Sequence, residues 1–199
     1  FKDKIMNKRG QISDDIAAID KIDADLGGKL NSSSRWQEIK SEWQRLEPQA
    51  FELKAQESFT RHTALIKQLL ALLTHVGASS NLILDSELDS FYLMSALVQS
   101  LPQVTENMGK ARGLGAGVAA RQAVSMEERV KLVMLSSTIQ SNLETAVYGM
   151  ETSFAKNDKL ANSLAMAVDD AENLTGDFLV QLQDRLIKAE QIDVASAQI

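Results

Sequence analysis

The chain contains no cysteine, which excludes disulfides and thiolate metal sites and leaves a periplasmic and a reducing compartment equally open. Proline occurs only at Pro48 and Pro102, and aromatic residues make up 5% of the chain. So few breakers and so little β-favouring material, set against abundant Leu, Ala, Gln, Glu and Lys, speak against a sheet and predict an all-α protein. Positive charge is in deficit: 21 Lys and Arg face 27 Asp and Glu, a net charge of -6. Without the clustered cations that a phosphate backbone attracts, no nucleic-acid partner is expected. Long apolar runs are missing as well. The longest, Ala64 to Val76, is interrupted by Lys67, Gln68, Thr74 and His75 and falls short of the roughly 18 to 20 residues that cross a bilayer. The chain opens at Phe1 with neither Met nor a signal-like segment, and reads as a piece of a longer protein.

What the chain does have is helical spacing. With 199 residues, 44% of them hydrophobic, it is long enough for a single domain over residues 1–199. Ile5, Arg9, Ile12, Ile16, Ile19, Asp23 and Leu26 step by four and three, as a helix packed lengthwise against others requires. Gly27-Gly28 is expected to end it. A second helix starts behind Ser34 as cap, carries Trp36, Ile39, Trp43 and Leu46 on one face, and stops at Pro48. A third begins between Gln49 and Ser58, with Phe59, His62, Ile66, Leu69, Leu73 and Val76 inward. A fourth follows Asp85 as cap, with Leu88, Phe91, Leu97, Leu101, Val104 and Met108 inward and a kink or break at Pro102. Ser125 and Glu128 form a capping box for a fifth, whose seam is Met126, Val130, Val133, Val147, Met150 and Phe154. In the middle of that seam Ser137 and Gln140 stand where core is expected. Asp158 caps a last helix reaching toward Ile192, with Leu160, Leu164, Val168, Ala171, Phe178, Leu182 and Leu186 inward. Helices of this length define an elongated up-and-down bundle of long amphipathic helices.

Little in the chain suggests catalysis. There is no thiol nucleophile, no Gly-x-Ser-x-Gly elbow and no paired-carboxylate spacing, so no enzyme activity is expected. Phe59 and Leu72 stand three residues before His62 and His75, where a di-metal bundle needs glutamates. No metal or other cofactor is therefore expected. Gly109, Gly113 and Gly117 share one helix face, which suits close backbone approach or a kink. As a phosphate loop, Gly113 to Gly117 lacks both a preceding strand and a Gly-Lys-Ser/Thr ending. His62 lies on an apolar stripe, either as a satisfied core histidine or as a ligand contact. Arg61, Arg112 and Arg121 are either solvated or turned inward to hold a carboxylate or other oxyanion. Tyr92 is either a packing ring or a hydroxyl for a ligand. The candidate ligand-binding set is His62, Tyr92, Arg112 and Gln140, meeting at the polar gap between helices; a hydrated layer that fixes helix register is the plain alternative.

The string Leu84-Asp85-Ser86-Glu87-Leu88-Asp89-Ser90-Phe91-Tyr92-Leu93-Met94 resembles the Leu-Asp-x-x-Leu-Asp-Ser-Tyr-Tyr-Leu-Met motif in extracytoplasmic sensor regions of bacterial methyl-accepting chemotaxis proteins and related transmembrane receptors. Upstream, Arg35-Trp36-Gln37, Trp43 and the segment from Glu57 to Ile66 look like the stretches that precede the motif there. Downstream, Leu101-Pro102 and Arg112-Gly113-Leu114-Gly115 look like those that follow it, so the likeness spans about Arg35 to Gly117. Phe91 stands in place of the first Tyr, and Ser95 where an Asp often follows the Met. The resemblance implies a helical periplasmic sensor domain, similar to the nitrate- and nitrite-sensing bundles, in an inner-membrane receptor. It further implies a homodimer whose partner is a small molecule, such as an anion or carboxylate, or a periplasmic binding protein. A structural or adaptor bundle that grips another protein's helix accounts for the heptads without any pocket.

Overall fold

Helix-favouring residues run nearly unbroken between the turn-formers. The computed structural model describes residues 2–84 and 86–192, with side chains from Met6 onward, as helices joined by short turns. No strand occurs among them, and the all-α bundle read from the sequence is the fold. The chain divides into two compact units, one ending at Ser80 and the other starting at Asn81. The division falls just after the third helix, which continues through Gly77, Ala78 and Ser79, past Val76 at the end of its predicted stripe.

The first unit holds α1 (Lys2–Leu30), α2 (Ser33–Leu46) and α3 (Ala55–Ser79), with a 3-10 turn at Glu47–Gln49 carrying Pro48. α1 runs through both glycines, contrary to expectation, and the chain turns instead at Asn31, whose φ of 52° is left-handed. Asparagine takes that conformation more readily than most residues. Gly27 is needed for another reason: an added Cβ would sit 2.1 Å from both Asp23 Oδ1 and Ser33 Oγ, which hydrogen-bond to each other at 3.0 Å. α2 starts two residues earlier than predicted and buries Trp36, Ile39 and Leu46, its predicted face. Together with Leu65 these form the small core of the unit. The predicted stripe of α3 is displaced. Leu65 is buried, and Leu72 packs against the same core, whereas Ile66, Leu69 and Leu73 remain 36–37% exposed. The apolar sector of α3 is wider than the strip that α2 covers.

The second unit begins with a 3-10 turn at Leu82–Leu84 and continues through α4 (Leu88–Ser95), a π-helical turn at Ala96–Ser100 and α5 (Leu101–Arg121). Asp85, expected to cap α4, lies outside the described residues. Pro102 causes no break. Its missing N–H and bulky ring are accommodated by the wider i→i+5 turn just upstream. Leu88, Phe91 and Leu97 are exposed rather than inward, with Met94, Ala96 and Ser100 buried instead, while Val104 is buried as predicted. Of the glycine face, Gly109 and Gly113 are exposed and Gly117 is half-buried, while Gly115, off that face, is buried.

α6 (Met126–Phe154) opens on the predicted capping box: Glu128 N donates to Ser125 Oγ at 3.2 Å, and Ser125 N donates to Glu128 Oε2 at 2.9 Å. Its buried seam is Leu132, Ile139, Leu143, Ala146, Met150 and Ser153, so Met126, Val130 and Val133 of the predicted seam face outward. α7 (Asp158–Leu182) is capped by Asn157 rather than Asp158, with Leu160 N donating to Asn157 Oδ1 at 3.3 Å. It ends ten residues earlier than expected, in a π-helical turn at Gln183–Ile187. Phe178, Leu182 and Leu186 are buried as predicted and pack with Val118, Leu132 and Ile139 in the main core, whereas Ala171 is exposed.

Candidate functional site

Three-helix units leave concave seams wherever the outer pair of helices does not close over the middle one. In the first unit such a seam forms an apolar groove of about 490 Å³. Ile12, Ile16 and Ile19 of α1 form one wall, His62, Leu65, Ile66 and Leu69 of α3 the other, and Trp36, Ile39 and Trp43 of α2 the floor. Asp15 and Lys40 also line it. The two tryptophans are there because positions seven apart on a helix lie on the same face.

Polar ties fix this groove. Trp36 Nε1 and Lys40 Nζ both donate to Asp20 Oδ1, at 2.7 and 2.8 Å. The hydrogen bond from Lys40, and after it that from Trp36, holds the Asp20 carboxyl below its ordinary 3.8, with desolvation working against them. Arg9 donates to the Glu47 carbonyl and lies 4.8 Å over the Phe51 ring. His62 Nδ1 lies 2.7 Å from the Ser58 carbonyl. A carbonyl only accepts, so Nδ1 carries the proton and, in the neutral ring, Nε2 is an acceptor; that nitrogen has no protein partner among the described residues. His75 has the opposite arrangement, its Nε2 donating to the carbonyls of Leu30 and Asn31, both at 3.0 Å, where α1 ends.

The other candidates occupy different places in the second unit. Tyr92, half-buried on α4, packs edge-on against Phe91 and Tyr148, with ring centroids 5.4 and 6.0 Å away. Its Cδ1 would lie 3.3 Å from a Cβ at Gly149, so that glycine admits the ring. Arg112 is exposed and lines an α5–α7 groove of about 540 Å³ that also contains Asp177, Met108 and Phe178. Gln140 is exposed, donates to Glu144 Oε1 at 2.7 Å, and lines a polar α6–α7 groove with Ser137. The buried polar gap read from the sequence is therefore a surface groove. The one-position offset of the α6 seam turns Ser137 and Gln140 outward. His62, Arg112 and Gln140 each line a different groove, and Tyr92 lines none of the three.

Neither of the other two arginines is available for an anion. Arg61 donates to Gln49 Oε1 at 2.7 Å and lies 3.5 Å from Glu42, and Arg121 pairs with Glu128. Sequence reasoning missed Arg129, whose guanidinium donates to the carbonyls of Leu186, Ile187 and, at 2.7 Å, Ala189, closing the end of the last helical turn. It also missed the role of Asp89 within the motif. Asn157 Nδ2 donates to Asp89 Oδ2 at 2.8 Å, and Ser153 Oγ to the Asp89 carbonyl at 2.8 Å, fastening α4 onto the α6–α7 turn. The Asn157 bond, then the Ser90 amide, hold the Asp89 carboxyl below its ordinary value.

Among the described residues no group of three or more His, Asp or Glu is placed to hold a metal ion, and no helix is long and apolar enough to cross a membrane. Compared with protein families, with curated proteins and with solved structures, the chain matches none.

Proposed function

We propose that this chain is the extracytoplasmic sensing domain of a transmembrane chemoreceptor, the periplasmic part of a homodimeric inner-membrane protein, which takes up a small molecule and signals by displacing its long helices. The observation that supports this most is the groove at the junction of α1, α2 and α3, because an occupant touches all three helices at once. Among its described side chains α1 contributes no large buried one, and it is tied to the rest of its unit by Arg9, Asp20 and Asp23. A ligand that contacts α1 better in one packing than in another shifts the population between them, and a rigid helix carries that displacement lengthwise. The motif supports the class of domain rather than the ligand, since Asp89 is engaged in joining helices.

The test places residues 1–199 between the membrane spans of a chemoreceptor stripped of its own sensing region, in cells without other receptors. A compound that binds the purified chain should change the swimming bias of these cells, and Ile66→Glu, which puts a charge in the groove, should abolish the response. Compounds that bind the chain yet never alter swimming would overturn the sensing role.

A second reading has its own support. Ile22, Leu26 and Leu73 are 57%, 41% and 36% exposed on α1 and α3, outside the groove. Such a surface suits a partner helix and an adaptor role.

A further inference from the structure

We infer that the α1–α2–α3 groove takes a neutral, apolar, two-ring-sized molecule with a single hydrogen-bond donor, rather than an anion or an amino acid. The inference rests on the sensing function only for its purpose; the binding chemistry follows from the groove alone.

Volume sets the size. The groove holds about 490 Å³, roughly three times the ~150 Å³ cavity that admits one benzene ring, and lies within the range of small-molecule sites. From Ile12 to Ile19 its α1 wall is about 10 Å long at ~1.5 Å per residue. The lining sets the polarity. Apolar side chains form both walls and the floor, and the indole N–H of Trp36 is already used by Asp20. A charged ligand entering this lining loses hydration with little in return. Lys40, the one cation of the lining, is engaged by Asp20 at 2.8 Å, and Asp15 on the same lining repels an anion. Neither an unengaged cation for a carboxylate nor the pair of opposite charges that an amino acid needs is present in this lining.

Beyond the charged Asp15 and Lys40, one polar atom of the lining remains to orient the guest. With Nδ1–H directed to the Ser58 carbonyl, His62 Nε2 is an acceptor without a protein partner. A hydroxyl or N–H on an apolar body satisfies it, and an ether does not.

The chain carries its own reporter, because both of its tryptophans, Trp36 and Trp43, line the groove. Decahydro-2-naphthol, its methyl ether and decahydro-2-naphthoate leave the tryptophan absorption band clear and share one body while differing in donor and charge. Titrated into the full 199-residue chain, the alcohol should produce a saturable change in tryptophan emission. The ether should bind ~3- to 10-fold more weakly, the worth of one neutral hydrogen bond, and the carboxylate more weakly still. His62→Ala should lower the affinity for the alcohol to that for the ether and leave the ether unchanged; His62→Ala with intact helicity and an undiminished preference for the alcohol overturns the assignment of the donor. Ile66→Glu, at a 36% exposed position that tolerates polarity, should abolish binding while circular dichroism stays unchanged. Tightest binding by the carboxylate, or no saturable change with the alcohol, overturns the inference. So does sedimentation showing a dimer of the chain that Ile66→Glu converts to monomer, since a second copy then fills the groove. Binding without a swimming response overturns the sensing function and leaves the ligand class standing.

Discussion

Two residues give sharp expectations. A Cβ at Gly109 would meet nothing within 4 Å, so this glycine of the 109-113-117 face contributes chain flexibility to the unfolded state and no packing to the folded one. Gly109→Ala should stabilise the second unit by about 0.5–1 kcal/mol in urea unfolding; a loss of stability would mean that another backbone lies against this face. Asp20 gives a pH dependence. Its folded pKa is depressed by Lys40 first and Trp36 second, so its contribution is present above the unfolded value of about 3.9 and is lost as pH falls through the folded one. With Trp43→Phe leaving Trp36 as sole emitter, the emission should change as pH drops below about 4, and Asp20→Asn should flatten that change. The Trp36–Asp20 bond was not legible in the sequence, because the two residues lie on different helices sixteen positions apart. The same holds for His75, whose spacing to Leu30 carries no periodic signal.

Elements were legible where a local rule acts alone. Ser125 and Glu128 satisfy each other within one turn, so three residues of sequence carry the whole arrangement. Ser125→Ala should cost about 0.5–2 kcal/mol, measured as a lower urea midpoint with unchanged slope. Ser33→Ala, by contrast, should act through its bond to Asp23 rather than through a cap. The start of α7 was misread by one residue because Asn157 and Asp158 are both good caps, and Asn157 alone can also donate to Asp89. Inward faces were harder. On α2 the bulky Trp36 and Trp43 fix the face from composition alone. On α3 the apolar residues cover so wide a sector that spacing admits two neighbouring stripes, and contact with α2 decides between them. On α6 the same ambiguity moved the seam from Val130 and Val133 to Leu132 and Ile139, and turned the anticipated polar site outward.

At the scale of the whole molecule, stability is unevenly distributed. The second unit has a continuous core in which Leu132, Ile139, Leu182 and Leu186 are fully buried, whereas the core of the first unit consists of Trp36, Ile39, Leu46 and Leu65. Within that first unit α1 has few buried apolar contacts, which is the condition for local opening below the global unfolding energy. In amide hydrogen exchange the middle of α1 should lose protection well before the middle of α6, although both helices have 29 residues. An apolar guest in the groove should slow exchange in α1 selectively. Equal protection of the two helices in the free chain would contradict this distribution. The all-α class was legible because composition alone decides it. The division at Ser80 was not, since each helix shows one apolar stripe whichever unit it belongs to.

The π-helical turn at Ala96–Ser100 acts as a spliced-in residue, advancing the rotation of the chain by roughly 100° relative to an unbroken α-helix. Upstream and downstream faces are thereby out of frame, and this is why one seam drawn from Leu88 to Met108 could not fit both halves. Deleting a single residue here would be a frameshift in three dimensions. It would make the helix more regular, yet swing Asp89 and Tyr92 away from Asn157 and Gly149 and return the ring of Pro102 to the carbonyl four residues before it. Homologues that vary freely around this turn should therefore conserve its length more strictly than its letters.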